Sequence, residues 1–435
     1  MLPFTFKTLA CAPLLLSAAS AKPAQPSDTV SATTSEEVQP SSTGDQDLDS
    51  VIEDSELLSF HRDLCEIESI SDSEHDVGEF LAEYLESHDF TVEKQEVPHD
   101  GDGGSDEPRF NVFAYSGDDA EVDVILTAHI DVVPPYIPYK LTANDTTNKR
   151  EDILISGRGT VDVKSGVAAQ TIAAMQYLEK NKDAKIGLLF VVSEETTGAG
   201  MRAFSESDFN PDPTPFKGII FGEPTDAKLA TGHKGSFGFT VNVTGEAGHS
   251  GYPWLFDSAT SAALPILERL DILDNITEEE GGLLRNEKFG RSTINIGTID
   301  AGAAANVIPE SAVAECLIRI AEGTPEDAEK IVRKAVKEVC EEQDIDEDRV
   351  ELTFRIEGAN SPVDLEADVE GFESEVMHYG TDISNLEIKG GAKVKRFLYG
   401  PGSIIVAHGI DEGLTVGELE DSVEAYIKLI DYSLE

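Results

Sequence analysis

The chain has 435 residues, and 33 Lys+Arg set against 84 Asp+Glu leave a formal net charge of −51. That length fits two or three domains, and 40% hydrophobic residues suffice for a sizeable core. Such acidity argues against nucleic acid as a partner, since phosphate contacts demand clustered Lys and Arg, and against docking on anionic lipid.

The first 21 residues read as a secretory signal: Lys7 is the positive start, residues 9–16 the apolar core, and Ala19-Ser20-Ala21 the small-residue cleavage pattern. The apolar run is far shorter than the roughly 20 residues of a spanning helix, so the expectation is a secreted, extracellular protein with no membrane partner. Residues 22–50 are Ser, Thr, Pro and acidic groups and are expected to form a disordered leader. Loss of the signal removes Cys11 and leaves Cys65, Cys316 and Cys340. Three thiols cannot all pair, so this is no disulfide scaffold; a Cys316–Cys340 bridge and buried free thiols both stay open. Sequons at Asn144, Asn242 and Asn275 fit a secreted glycoprotein.

Helical periodicity begins near Ser55, with Leu57, Phe60, Leu64 and Ile67 on one stripe, and a second helix follows from Ser73. Residues 112–115 and 122–128 read as strands, the latter apolar enough to be buried on both faces. A helix over 166–180, a strand over 186–192 and a run over 218–221 come next. This alternation predicts an α/β fold, a mostly parallel sheet with helices on both faces. From 235 the pattern changes to strand 237–243, helix 257–273, strands 293–299 and 312–320, helix 325–341 and strand 350–356. That βαββαβ order predicts an inserted two-layer α+β module over 235–360, with the main domain at 51–234 and 361–435. The chain closes with a helix from Thr415, where Glu418 completes a capping box.

Four strand ends carry imidazole or carboxylate groups. The first, Thr127-Ala128-His129-Ile130-Asp131-Val132-Val133-Pro134, puts His129 and Asp131 on one side of an extended segment. A carboxylate there can take the second ring N–H of the His and fix its tautomer for a metal. The second is Gly157-Arg158-Gly159-Thr160-Val161-Asp162, a flexed turn presenting one carboxylate ahead of a helix. It is no phosphate loop, because Val163 stands where that motif needs Gly. Ser193-Glu194-Glu195 and Gly222-Glu223-Pro224 are the third and fourth. Carboxylates converging from several strand ends would repel one another unless cations neutralise them.

In this order, the H-x-D-x-V-P, G-R-G-x-x-D, E-E and G-E-P segments resemble a family of di-zinc metallopeptidases. It includes glutamate carboxypeptidase, aminoacylase, acetylornithine deacetylase and succinyl-diaminopimelate desuccinylase. The likeness runs from about residue 52 to the end and is nearest to secreted fungal carboxypeptidases. It implies a phosphorylase/hydrolase-like catalytic domain whose inserted module is a lid that also forms a homodimer. It implies two Zn²⁺ per chain bridged by Asp162, with His129 and Glu223 on one ion and Glu195 and His408 on the other. Two Zn²⁺ and three carboxylates leave one positive charge, which favours a bound hydroxide. Glu194 would be the general base and Asp131 the partner that orients His129. From the lid, His249 would stabilise the developing oxyanion, while Asn306 and Arg319 would grip a substrate carboxylate, Arg by its planar fork.

Two departures stand out. Relatives carry Gly-Gly-Thr with a nearby Asp before the last His, and this reading finds only Gly390-Gly391-Ala392-Lys393 there. Val163 also replaces the usual Asp or Met after the bridging Asp, in a peptide the resemblance implies to be cis. The expectation is a secreted zinc carboxypeptidase acting on peptides. The alternatives are an N-acyl-amino-acid amidohydrolase with the same machinery, and a non-enzymatic acidic binding module.

Overall fold

The computed structural model describes residues 48–99, 107–117, 120–144 and 146–435. The signal and residues 22–47 of the expected leader lie outside these. Ordered structure begins earlier than composition suggested, because α1 (Leu48–Glu53) already buries Ile52 and rests Leu48 and Val51 on the main core. Ser55 then caps α2 (Glu56–Glu66) by accepting the Leu58 N–H. α2 buries Leu57, Leu58, Phe60 and Leu64, and α3 (His75–Ser87) buries Val77, Leu81 and Leu85, as their spacing predicts.

The main sheet is built from β1 (Thr91–Val97), β2 (Arg109–Tyr115), β3 (Val124–His129), β4 (Ile186–Val191), β5 (Gly218–Gly222) and, after the insertion, a returning strand Lys395–Tyr399. The order across the sheet is β1, β2, β4, β3, β5 and the returning strand. β4, β3, β5 and the returning strand pair in parallel, while β1 and β2 form an antiparallel margin, so the sheet is mixed. Burial of every residue of β3, β4 and β5 is what a sheet covered on both faces requires. α4 (Lys164–Lys180) packs against the sheet with small residues Ala168, Ala169, Ala173 and Ala174. Its Gln170 amide donates to the carbonyls of Thr127 and Ile220 on two strands. α5 (Ala199–Glu206) follows β4.

The insertion is an antiparallel sheet of β6 (Gly235–Thr244), β7 (Thr293–Ala301), β8 (Ser311–Ile320) and β9 (Val350–Asn360), ordered β7, β8, β6, β9. With the returning strand as β10, α6 (Ala259–Asp271) and α7 (Pro325–Gln343) cover one face of that insert sheet. α8 (Val416–Leu434) ends the chain. β6 alternates, burying Phe237, Phe239, Val241 and Val243 into a core separate from that of the main sheet. The observed β6-α6-β7-β8-α7-β9 order is the predicted βαββαβ. Cys316 and Cys340 are both buried and free, as is Cys65.

The sequon asparagines sit differently. Asn144 accepts backbone N–H groups from Thr146 and Thr147 in a loop. Asn242 is half-buried on the central strand β6. Exposed Asn275 has its amide engaged with Asp274 and Arg291.

Candidate metal centre

The parallel strands β3, β4, β5 and β10 all end on one side of the sheet, where loops must turn back and side chains can converge. His129 is the last residue of β3. Glu194 and Glu195 follow β4, Glu223 follows β5, and His408 lies in the loop after β10. Asp162 precedes α4 and is joined to Val163 by the cis peptide that the resemblance implied.

These groups meet around Asp162. Its Oδ1 lies 3.1 Å from His129 Nε2, and its Oδ2 lies 3.3 Å from His408 Nε2. Glu223 Oε1 is 3.8 Å from His129 Nε2, and Glu195 Oε2 is 3.0 Å from His408 Nε2. One carboxylate thus divides its two oxygens between two imidazoles. Ligand atoms of His129, Asp162 and Glu195 lie within 4.8 Å of one another, as do those of His129, Glu194 and Glu223.

Asp131 does more than the sequence reading allowed. Nδ1 of His129 is 2.9 Å from the Asp131 carbonyl oxygen and 3.5 Å from its Oδ1, so the backbone is the nearer orienting group. The Asp131 carboxylate instead accepts the N–H of Glu194 at 3.0 Å, the N–H of Glu195 at 3.2 Å and the Ser71 hydroxyl at 2.8 Å. It therefore pins the turn that carries both glutamates. That turn, entered through Ser193 at φ 65° beyond the end of β4 at Val191, separates Glu194 from Glu195.

The electrostatics are those of a crowded acidic pocket. Burial pushes Glu194 far above the usual carboxylate range, with Glu223 adding to the effect. Burial does the same to Glu223, where His129 pulls the other way while Asp162 and Glu195 push up. Burial would also raise Asp162, but hydrogen bonds from His129 and His408 outweigh it and hold the group low. Hydrogen bonds to Asp162 and Glu195 push His408 up to about 10. None of the four carboxylates forms an ion pair with Lys or Arg among the described residues. Buried carboxylates with imidazoles between them, and no fixed cation, are a donor set suited to divalent metal.

The centre opens into a cleft of about 300 Å³ between the main domain and the insertion. Ser236, Leu317, Arg319 and Asn360 line it from the insertion, and Thr196, Thr197, Tyr379 and Thr381 from the main domain. Arg319 donates to Ser236 Oγ at 3.4 Å and has no carboxylate partner among the described residues. His249 and Asn306 do not line this cleft. They sit together on the exposed face of the insertion, where the ladder pairs His249 with Val307 and Ser250 N–H donates to the Asn306 carbonyl. Tyr252, Trp254 and Leu255 are exposed beside them.

The Gly-Thr-Asp segment thought to be missing is present as Gly380-Thr381-Asp382. Gly380 and Thr381 line the cleft, whereas Gly390 packs against Asp212 and Pro213. Asp382 is 5% exposed, and burial pushes it up to about 6. The Thr-Asp pair, and not the Gly-Gly doublet ten residues later, is the signal that marks this segment in the sequence. Glu412, four residues beyond His408, accepts the N–H groups of Val161 and Asp162 and pairs with Arg158.

Comparisons with known proteins give the chain's relatives and its fold neighbours. The peptidase dimerisation domain family matches residues 231–348. A protein of Paracoccidioides lutzii named "Probable carboxypeptidase" is 52% identical over 393 residues, covering 90% of this chain and 88% of that protein. Among solved structures, human carnosine dipeptidase 1 superposes with a TM-score of 0.67 at 17% identity, over 89% of this chain and 98% of that one. An M20 family metallo-carboxypeptidase from Sulfolobus solfataricus gives 0.64 at 15% identity, over 88% and 100%.

Proposed function

The chain belongs to the M20 family of metallopeptidases, and we propose that within it this protein is a secreted, two-zinc carboxypeptidase. The observation that carries the reading is a single cleft holding both a shared-carboxylate acidic centre and an unpaired guanidinium. A half-buried Arg without an acidic partner among the described residues calls for an anion, and the free carboxylate of a peptide terminus supplies one bidentately. His129, Asp162 and Glu223 would hold one zinc, and Asp162, Glu195 and His408 the other. When bound, zinc polarises a scissile carbonyl and activates water for attack.

Glu194 takes the proton released in that attack and returns it to the leaving amine, a role suited to a half-buried carboxyl with raised proton affinity. Asp131 holds Glu194 and Glu195 at fixed positions through their N–H groups. Arg319 sets the substrate's terminal carboxylate, and so the distance from terminus to cleaved bond.

A test is hydrolysis of dipeptides with free and amidated termini, and of N-acetyl amino acids, with and without chelator. Cleavage of free-terminus dipeptides only, abolished by chelator, is expected. Turnover of acyl amino acids alone would replace the carboxypeptidase with an amidohydrolase, and no metal-dependent turnover would favour a binding module.

Two further parts belong to this reading. Secretion is supported by the apolar run over 9–16 and the Ala19-Ser20-Ala21 pattern, and protein retained inside the cell would remove it. A homodimer through the insertion is supported by exposed Tyr252, Trp254 and Leu255 beside His249. Sedimentation should give twice the chain mass, and a monomer at micromolar concentration would count against it.

A further inference from the structure

Arg158 and Glu412 have no part in the reaction just described, and neither lines the cleft. Yet their side chains are 2% and 1% exposed and join the two loops that carry Asp162 and His408. Arg158 Nη1 donates to Glu412 Oε2. The other oxygen, Glu412 Oε1, accepts the N–H of Val161 at 3.1 Å and of Asp162 at 3.2 Å. Arg158 Nη2 donates to the His408 carbonyl at 3.3 Å, and Nη1 also reaches the Gly409 carbonyl at 3.4 Å. The backbone N–H of Gly157 donates to the Glu412 carbonyl at 3.1 Å, closing the loops together.

The two halves of the centre are anchored unequally. His129 is a buried strand terminus, held in the β3 ladder, and Glu223 directly follows β5. His408 is half-exposed on a loop flanked by exposed Ile405 and Ile410, and it sits at φ 63°, where residues with a Cβ are uncommon. A sparsely populated conformation persists only where its surroundings fix it. The grip of Arg158 on the His408 carbonyl supplies that fixing. A buried ion pair contributes little net stability compared with apolar residues of the same shape. Geometry is then what this pair provides.

We propose that the Arg158–Glu412 pair is a positioning clamp that builds the cation position formed by Asp162 Oδ2, Glu195 and His408. This rests on the two-zinc reading above.

The test titrates Zn²⁺ alone into metal-free full-length protein by calorimetry, alongside turnover. Wild type should bind two ions. In Arg158→Met the first ion should bind within about threefold of wild type, while the second weakens at least tenfold. Turnover should fall with the second ion and recover at high zinc. Arg158→Lys, which keeps the charge but not the fork, and Glu412→Gln, which keeps an acceptor for both N–H groups, should fall between. These two variants decide the matter if Arg158→Met does not fold. Equal weakening of both ions, or lowered thermal stability with both affinities intact, would overturn the clamp. A wild type binding fewer than two ions would overturn the two-zinc reading, and the clamp with it.

Discussion

Neighbouring residues at this centre carry different work. Glu194 and Glu195 are adjacent in sequence, yet Glu195 reaches His408 while Glu194 faces His129 and Glu223. Glu194→Gln is therefore expected to lower kcat by about 10²–10⁴ while zinc content stays at the wild-type level, read by metal analysis beside steady-state kinetics. Equal loss of zinc would mean Glu194 is a ligand. Among the described residues Arg319 is the one Arg or Lys lining the cleft, so a second substrate carboxylate would face Glu194 and Glu223 without a partner. Peptides ending in Asp or Glu should show kcat/KM about tenfold or more below those ending in Leu or Ala; a preference for acidic termini would contradict this. His408, in the loop after β10, came only with the resemblance, whereas His129, Asp162, Glu194, Glu195 and Glu223 were legible because each sits in a short local motif. Asp131's hold on the Glu194 turn, and Glu412's on Asp162, were not, because partners 63 and 250 residues apart carry no local signal.

At the scale of elements, periodicity located the longer helices and the buried strands β3, β4 and β5, because a continuous apolar run and a 3.6-residue stripe are strong signals, while the short α1, α5 and β10 escaped. β1 escaped, since Thr91–Val97 is mostly polar and lies at the antiparallel margin of the sheet. A small sheet formed by Leu229–His233, Val363–Asp364 and Ser374–Met377 escaped because its strands are too short to show a period. The capping box of Thr415 with Glu418 that opens α8 was legible; a second, Thr324 with Asp327, opens α7, where Pro325 takes the first helical position. Thr324→Ala removes the acceptor for the Asp327 N–H and should cost about 1 kcal/mol, seen as a lower urea midpoint. Turnover should be unchanged, because α7 lines no part of the cleft. A stability change near zero would show that the cap is replaced by water.

Across the whole molecule, the excess of acid does not determine every pH response. Burial pushes the imidazole of His61 down to about 3, against a hydrogen bond to the Thr160 carbonyl that raises it. The unfolded chain therefore takes up a proton at His61 below about pH 6.5 that the folded chain refuses. This contribution to stability is complete above that pH and is lost progressively as pH falls toward 3. In metal-free protein, His61→Asn should flatten the fall of unfolding free energy between pH 6 and 4 by about 1.4 kcal/mol per pH unit. Parallel curves would show that His61 is protonated in the folded state. The central claim is that loops from distant parts of this chain assemble around two cations sharing Asp162. Anomalous diffraction at the zinc edge from crystals of the zinc-loaded protein tests it most directly. Two peaks should flank the Asp162 carboxylate, one beside His129 and Glu223 and the other beside Glu195 and His408; a single peak, or none at Asp162, would contradict it.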